Sequence, residues 1–91
     1  MEYSLLILST AKRDLDVLDP VWRERVLSRL EWLAKNADQV AHHRLQGLPE
    51  QLSALFRFRV ADYRVLYWKD DEKKVLKVFR VRHRSQVYRK L

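Results

Sequence analysis

The fold of this chain is most strongly constrained by a stretch of alternating residues just past its middle. Apolar and basic residues alternate through most of residues 55–60. Successive side chains of a strand point to opposite faces, so this stretch predicts a half-buried β-strand. One face would carry Phe56, Phe58 and Val60, and the other Leu55, Arg57 and Arg59.

Two more strand-like stretches follow it. Residues 63–68 and 75–81 are rich in β-branched and aromatic residues, and the polar turns at 61–62 and 70–73 separate the three stretches. Three successive strands joined by short turns predict an antiparallel meander.

The first half of the chain predicts one strand and two helices. Residues 3–8 form a short apolar run typical of a buried strand, and Ser9 or Thr10 would cap a first helix. Asp19-Pro20 predicts the start of a second helix, because Asp is a good N-cap and Pro suits the first helical position. The apolar residues of that helix fall on one face: Trp22, Val26, Leu30, Leu33 and Ala34.

The resulting order β-α-α-β-β-β predicts an α+β fold, with a single twisted antiparallel-type sheet and an N-terminal α-hairpin packed on one face. Residues 38–53 show no periodicity and contain the only glycine, which predicts a loop that Leu45 and Leu48 would attach to the core. We expect the 91 residues to form a single domain, 1–91, because their 47% hydrophobic content is enough to build one core.

Composition excludes several classes of function. The chain has no cysteine, which removes disulfides and thiolate-bound metals, and its one glycine excludes a glycine-rich dinucleotide site. His42 and His43 are adjacent, so on regular structure they would diverge and not chelate a metal together. The longest apolar run, residues 5–8, is too short for a membrane span. We therefore expect no metal, no cofactor, no membrane association and a cytoplasmic location.

The charge is distributed very unevenly along the chain. Residues 1–53 contain seven Lys/Arg and eight Asp/Glu. Residues 54–91 contain twelve Lys/Arg and four Asp/Glu, which gives this part of the chain a net charge of +8. Clustered Lys and Arg favour a polyanion, because phosphate contacts release condensed counterions. Nucleic acid is therefore the predicted partner, although basic residues can also serve only to keep a small domain soluble.

A basic cluster on the predicted meander carries the candidate chemistry. Arg57, Arg59 and Arg64 would converge on one open face of the sheet, and the segment 82–84 would close that face from its edge. Arginine matches phosphate oxygens bidentately, which suits a phosphodiester and its more highly charged transition state. His83 is the only side chain of the cluster that ordinarily titrates near neutrality, and Tyr88 would stack on a base or share in proton transfer.

Each of these residues also has a structural interpretation. Alternating arginines on a strand often form a solvated outer face, and a lone histidine is more often a surface residue than a catalyst. Tyr88 would in that case simply pack onto the sheet.

The chain resembles the RelE/ParE toxin superfamily, and more closely its RelE branch, over essentially its whole length. The resemblance includes residues 3–8, 11–15 and 45–48. Two motifs are more specific: Phe-Arg-x-Arg-Val-x-Asp-Tyr-Arg-Val-x-Tyr at 56–67 and His-Arg-x-x-x-Tyr at 83–88.

The resemblance implies a ribosome-dependent mRNA interferase: an endoribonuclease without a metal, which uses the RNA 2′-hydroxyl as nucleophile in the ribosomal A site. It also implies a RelB-like antitoxin that holds the toxin inactive. By position, Arg57 and Arg59 match a pair of basic residues on the family's second strand, and Arg64 matches the arginine that contacts the cleaved phosphate. Arg84 matches a residue that acts as an acid or a charge stabiliser. Tyr88 matches the tyrosine that stacks on an mRNA base. Further RNA contacts are expected from Lys77, Arg80, Arg82 and Arg89.

The sequence departs from the RelE pattern at three positions. The basic pair is often lysine, and Arg57 and Arg59 are poor general bases because guanidinium hardly deprotonates. Arg82 stands where glycine is common. Two alternatives therefore stay open: a ParE-like inhibitor of DNA gyrase, and a relative that binds RNA without cutting it.

Overall fold

The computed structural model describes residues 2–87 and 89. Its main elements, in chain order, are β1 (Ser4–Ile7), α1 (Ser9–Asp16), α2 (Pro20–Lys35), β2 (His43–Arg44), β3 (Phe56–Val60), β4 (Tyr63–Asp70) and β5 (Val75–His83). Two single 3₁₀ turns, Glu50–Leu52 and Arg84–Gln86, complete the chain as described.

The strands form one five-stranded sheet in the order β1-β5-β4-β3-β2. The meander β3-β4-β5 is antiparallel as predicted, and β2 adds an antiparallel edge. At the other edge β1 pairs in parallel with β5, so the sheet is mixed. The predicted α+β class is confirmed, whereas the parallel edge was not part of the prediction.

The predicted N-terminal cap is confirmed for α2 and wrong for α1. At α2 the prediction is confirmed, since the Asp19 carboxylate accepts a hydrogen bond from the Val21 N–H at 3.1 Å, and Pro20 opens the helix. At α1 the predicted cap is wrong, because Leu8 occupies the N-cap position without a side-chain hydrogen bond. The Thr10 hydroxyl instead donates to the Phe79 carbonyl at 2.6 Å, which ties α1 to β5.

The core consists of two apolar clusters, one on each face of the sheet. The larger cluster lies between the helices and the sheet and includes Leu30 and Leu33 of α2 with Val65 and Tyr67 of β4. The smaller cluster lies on the other face and consists of Leu45, Leu55, Leu66 and Val87, with Leu48 packed against it. The predicted attachment of the loop through Leu45 and Leu48 is therefore confirmed.

Residues 38–53 are more ordered than a plain loop. They contain β2 and the Glu50–Leu52 turn, and they cover one end of the sheet face that is turned away from the helices. The rest of that face is left to polar side chains. Neither helix in the described part of the chain has the length and apolar character that crossing a bilayer requires.

Candidate active site

A cavity of about 350 Å³ lies on the sheet face opposite the helices, and we name it the arginine cavity. Its walls are Arg57 and Arg59 of β3, Arg64 of β4 and His43 of β2. Strand register explains the grouping, because Arg59 lies directly opposite Arg64 and His43 directly opposite Arg57. Opposite residues of an antiparallel pair share a face with Cα atoms about 4.5–5.5 Å apart. The predicted convergence of the three arginines is what the structure shows.

The arginines of this cavity repel one another. Burial lowers the pKa of the Arg64 guanidinium, and the positive charges of Arg59, Arg57 and Arg84 lower it further, while Asp62 acts in the opposite sense. A bound anion would offset this repulsion, so the clustered positive charges favour the binding of an anion in the cavity.

The tight turn between β3 and β4 holds Arg64 and Arg84 beside each other. Ala61 adopts φ 51°, and the Arg64 guanidinium donates hydrogen bonds to the carbonyls of Ala61 and Tyr63 at 3.0 and 3.1 Å. The Arg84 backbone N–H donates to the Asp62 carbonyl at 2.7 Å, which draws the segment after β5 onto the turn. The position of Arg84 thus agrees with the predicted closure of the face from its edge.

The structure does not bring His83 into the arginine cavity. His83 lies opposite Tyr63, and their rings meet edge to face with centroids 5.8 Å apart. Tyr63 packs against the helix-side cluster, so both rings belong to that side of the sheet. The His83 Nδ1 is 2.9 Å from the Ser85 hydroxyl, and the ring lines a separate cavity of about 320 Å³.

Two of the predicted RNA-binding residues already have carboxylate partners. Arg80 donates to both oxygens of Asp14 at 2.7 and 2.9 Å, and the Val81 N–H donates to the same carboxylate at 2.9 Å. Lys77 lies 3.7 Å from a carboxylate oxygen of Asp70. The bidentate contact favours a structural role for Arg80, whereas the longer and more exposed contact of Lys77 leaves that cation accessible.

The other predicted residues lie at the end of the chain. The Arg82 guanidinium donates to the carbonyls of Gln86 and Arg89, and it lines the same cavity as His83. Arg89 itself is exposed. Tyr88 lies outside the described residues, so its stacking role stays a prediction.

His43 is the residue of the cavity that the sequence did not reveal. It stands beside His42 in a two-residue strand, which is too short to show any periodicity in the sequence. In the described part of the chain, His, Asp and Glu side chains do not gather in groups of three that could hold a metal ion.

The family described as "ParE toxin of type II toxin-antitoxin system, parDE" matches residues 5–88. The chain belongs to the RelE/ParE toxin superfamily. Within the RelE/ParE superfamily, Toxin RelG of Mycobacterium tuberculosis is 32% identical over 91 residues, which cover 99% of this chain and 100% of RelG.

Solved structures of RelE proteins share the fold. In the toxin-antitoxin complex RelBE2 of Mycobacterium tuberculosis, the matching chain has a TM-score of 0.77 and 30% identity, covering 93% of this chain and 94% of its own length. In the archaeal RelE-RelB complex of Pyrococcus horikoshii, the matching chain has a TM-score of 0.73 and 26% identity, and the match covers 96% of this chain and 100% of that chain. These relatives place the protein in the RelE branch, as a toxin of a type II toxin-antitoxin system.

Proposed function

We propose that this RelE-branch toxin is a metal-independent endoribonuclease that cuts mRNA in the ribosomal A site and so stops translation in the cytoplasm. The observation that carries the proposal is the convergence of Arg57, Arg59 and Arg64 in one open cavity. Three guanidinium groups around a space of about 350 Å³ suit the non-bridging oxygens of one phosphodiester.

The chemistry follows from RNA itself. The 2′-hydroxyl attacks the adjacent phosphorus, and the transition state carries more negative charge on its phosphoryl oxygens than the ground state. Arg57, Arg59 and Arg64 stabilise that added charge, and Arg84 adds a fourth positive charge beside Arg64. Tyr88 stacks on a neighbouring base in this proposal.

A RelB-like antitoxin is the proposed inhibitor. The solved relatives from Mycobacterium tuberculosis and Pyrococcus horikoshii are complexes with RelB-type partners. Residues 54–91 carry a net charge of +8, so a partner segment with acidic residues over the arginine cavity would neutralise it.

The second candidate is inhibition of DNA gyrase, because the matching family is described as ParE toxin. A gyrase inhibitor has no evident need for a phosphate cavity lined by arginines, which favours RNA cleavage. A third candidate, RNA binding without cleavage, is supported by arginine in place of lysine at Arg57 and Arg59.

Primer extension on an mRNA translated in vitro separates the three. With the toxin present we expect new mRNA 5′ ends, seen as shortened extension products, only when ribosomes are added, and their loss in the variant Tyr88→Ala. Intact mRNA together with loss of gyrase supercoiling would replace the proposal by the ParE-like function. Ribosome binding with intact mRNA and unaffected gyrase would leave a non-catalytic RNA binder.

A further inference from the structure

Cleavage by the proposed route needs a group that takes up the 2′-hydroxyl proton. The arginines of the cavity cannot do so, because a guanidinium stays protonated at any physiological pH. Imidazole is the side chain that ordinarily exchanges a proton near neutrality, and the chain has three histidines. Their surroundings differ in a way that singles out one of them.

His42 is fully engaged in the fold. Its Nδ1 lies 2.5 Å from the Tyr67 hydroxyl and its Nε2 lies 2.7 Å from the Ala37 carbonyl oxygen. His83 uses its Nδ1 toward Ser85 and lies in the other cavity, on the helix side of the sheet. Neither ring is placed to reach a phosphodiester held by the three arginines.

His43 differs from both. It is exposed, it lines the arginine cavity, and its imidazole makes no hydrogen bond or ion pair within residues 2–87 and 89. Its direction is fixed by strand register, because it lies opposite Arg57 while the next residue, Arg44, lies opposite Phe56 on the other face. The Arg44 guanidinium indeed sits 4.9 Å from the Phe56 ring centre. Both ring nitrogens of His43 are thus available to a ligand in the cavity.

We propose that His43 is the general base of the cleavage reaction, an assignment that rests on the proposed function. The His43 imidazole takes the proton of the 2′-hydroxyl as the 2′-oxygen forms its bond to phosphorus. The bond from phosphorus to the 5′-oxygen breaks, and that oxygen leaves with the bonding electron pair and takes a proton from water. The products are a 2′,3′-cyclic phosphate and a 5′-hydroxyl end, with no change of oxidation state.

The charged groups around His43 are all positive. Arg57 and Arg59 face it from β3 and Arg64 from β4, and no carboxylate lines the cavity among the described residues. These cations hold the phosphate against the imidazole, and the imidazole is the only lining group able to accept a proton near neutral pH.

The test measures single-turnover cleavage on ribosomes programmed with a short synthetic mRNA, with His43→Gln compared with the wild type. General base catalysis contributes about 100- to 10,000-fold, so we expect a loss of at least about 100-fold with unchanged ribosome binding. Arg44→Gln is the matched control, because it alters the same short strand on the opposite face and should still cleave. Thermal unfolding of each variant checks that the fold is kept.

A second substrate separates the roles of base and acid. In this substrate sulfur replaces the scissile 5′-oxygen, so the leaving group no longer needs a proton. A variant that lacks the general acid should therefore cleave it normally, whereas a variant that lacks the general base should not. We expect the His43→Gln defect to persist on this substrate. Rescue by sulfur would overturn the assignment as a base, and cleavage by His43→Gln within about threefold of wild type would overturn it altogether.

Two further outcomes distinguish a failure of the His43 assignment from a failure of the proposed nuclease function. Loss of cleavage in His83→Gln with retention in His43→Gln would transfer the proton step to His83 and leave the proposed nuclease function standing. Absence of cleavage by the wild type on programmed ribosomes would overturn both the nuclease function and the role of His43.

Discussion

Replacing Arg64 with alanine should separate catalysis from stability. Arg64 makes two hydrogen bonds to backbone carbonyls near the surface, worth at most about 1 kcal/mol each. Its loss also relieves repulsion from Arg57, Arg59 and Arg84, at about 1 kcal/mol or less per pair in a water-like environment. The two effects oppose each other, so the free energy of unfolding should change by no more than about 1 kcal/mol.

The effect on cleavage should be far larger. Removing one preorganised donor from the transition-state charge costs about 3 kcal/mol, or roughly 100- to 1,000-fold in rate. Urea unfolding followed by tryptophan fluorescence gives the stability, and single-turnover cleavage on programmed ribosomes gives the rate. Added salt should stabilise the wild type more than Arg64→Ala, because salt screens the repulsion that the variant lacks.

The control variant is Arg13→Ala, which removes the same charge from an exposed site at the end of α1. It should keep both its cleavage rate and its stability. A stability loss above about 2 kcal/mol in Arg64→Ala, parallel to its loss of activity, would show that Arg64 acts mainly in the fold. Undiminished cleavage by Arg64→Ala would contradict its role on the phosphate.

Three further predictions concern the ion pair, the buried tyrosine and the partner. Asp14→Asn should lower the free energy of unfolding by about 2 kcal/mol, because half-buried Arg80 loses its counter-charge, whereas exposed Asp16→Asn should not; equal effects in urea titrations would contradict this. Burial raises the pKa of the Tyr67 hydroxyl, so stability should fall above about pH 10, where unfolded tyrosine ionises, by up to about 1.4 kcal/mol per pH unit. The variant Tyr67→Phe should not lose stability in this way, and identical pH profiles of stability for the variant and the wild type would contradict the prediction. The dissociation constant of the antitoxin complex should rise with salt in calorimetric titrations, and a constant value would argue against an acidic partner.

The parts of the site that could be predicted are those with a regular period. The alternation around Arg57 and Arg59 fixed their common face, and the two-residue turn placed Arg64 opposite Arg59. A tight hairpin leaves little freedom in register, so the pattern of one strand determines that of the next.

The face occupied by His83 could not be predicted in the same way. The register of β4 and β5 shifts between Leu66 and Tyr67, so Phe79 is an extra residue on β5. A bulge of this kind changes the phase of the strand, and no single residue type marks it. His43 escaped prediction for a related reason, because its strand has only two residues.

The partner of β1 was equally hidden in the sequence. Its four residues are extended and apolar, but they carry no signal that distinguishes a parallel edge on β5 from a pairing with any other strand. β1 leads directly into α1, and α1 packs on β5, so the pairing of β1 with β5 depends on tertiary contacts that the strand's own residues do not signal.

The parallel pairing of β1 with β5 has a consequence for the order of folding. Ser4 pairs with Val75, 71 positions later, whereas β3, β4 and β5 follow one another through short turns. Closing so long a loop costs about 2 kcal/mol more conformational entropy than closing a hairpin. We therefore predict that the meander, which carries Arg57, Arg59 and Arg64, forms first and that β1 docks after the rate-limiting barrier. Substitutions in β1 should accordingly speed unfolding and leave the refolding rate almost unchanged, while substitutions in β3 and β4 should slow refolding.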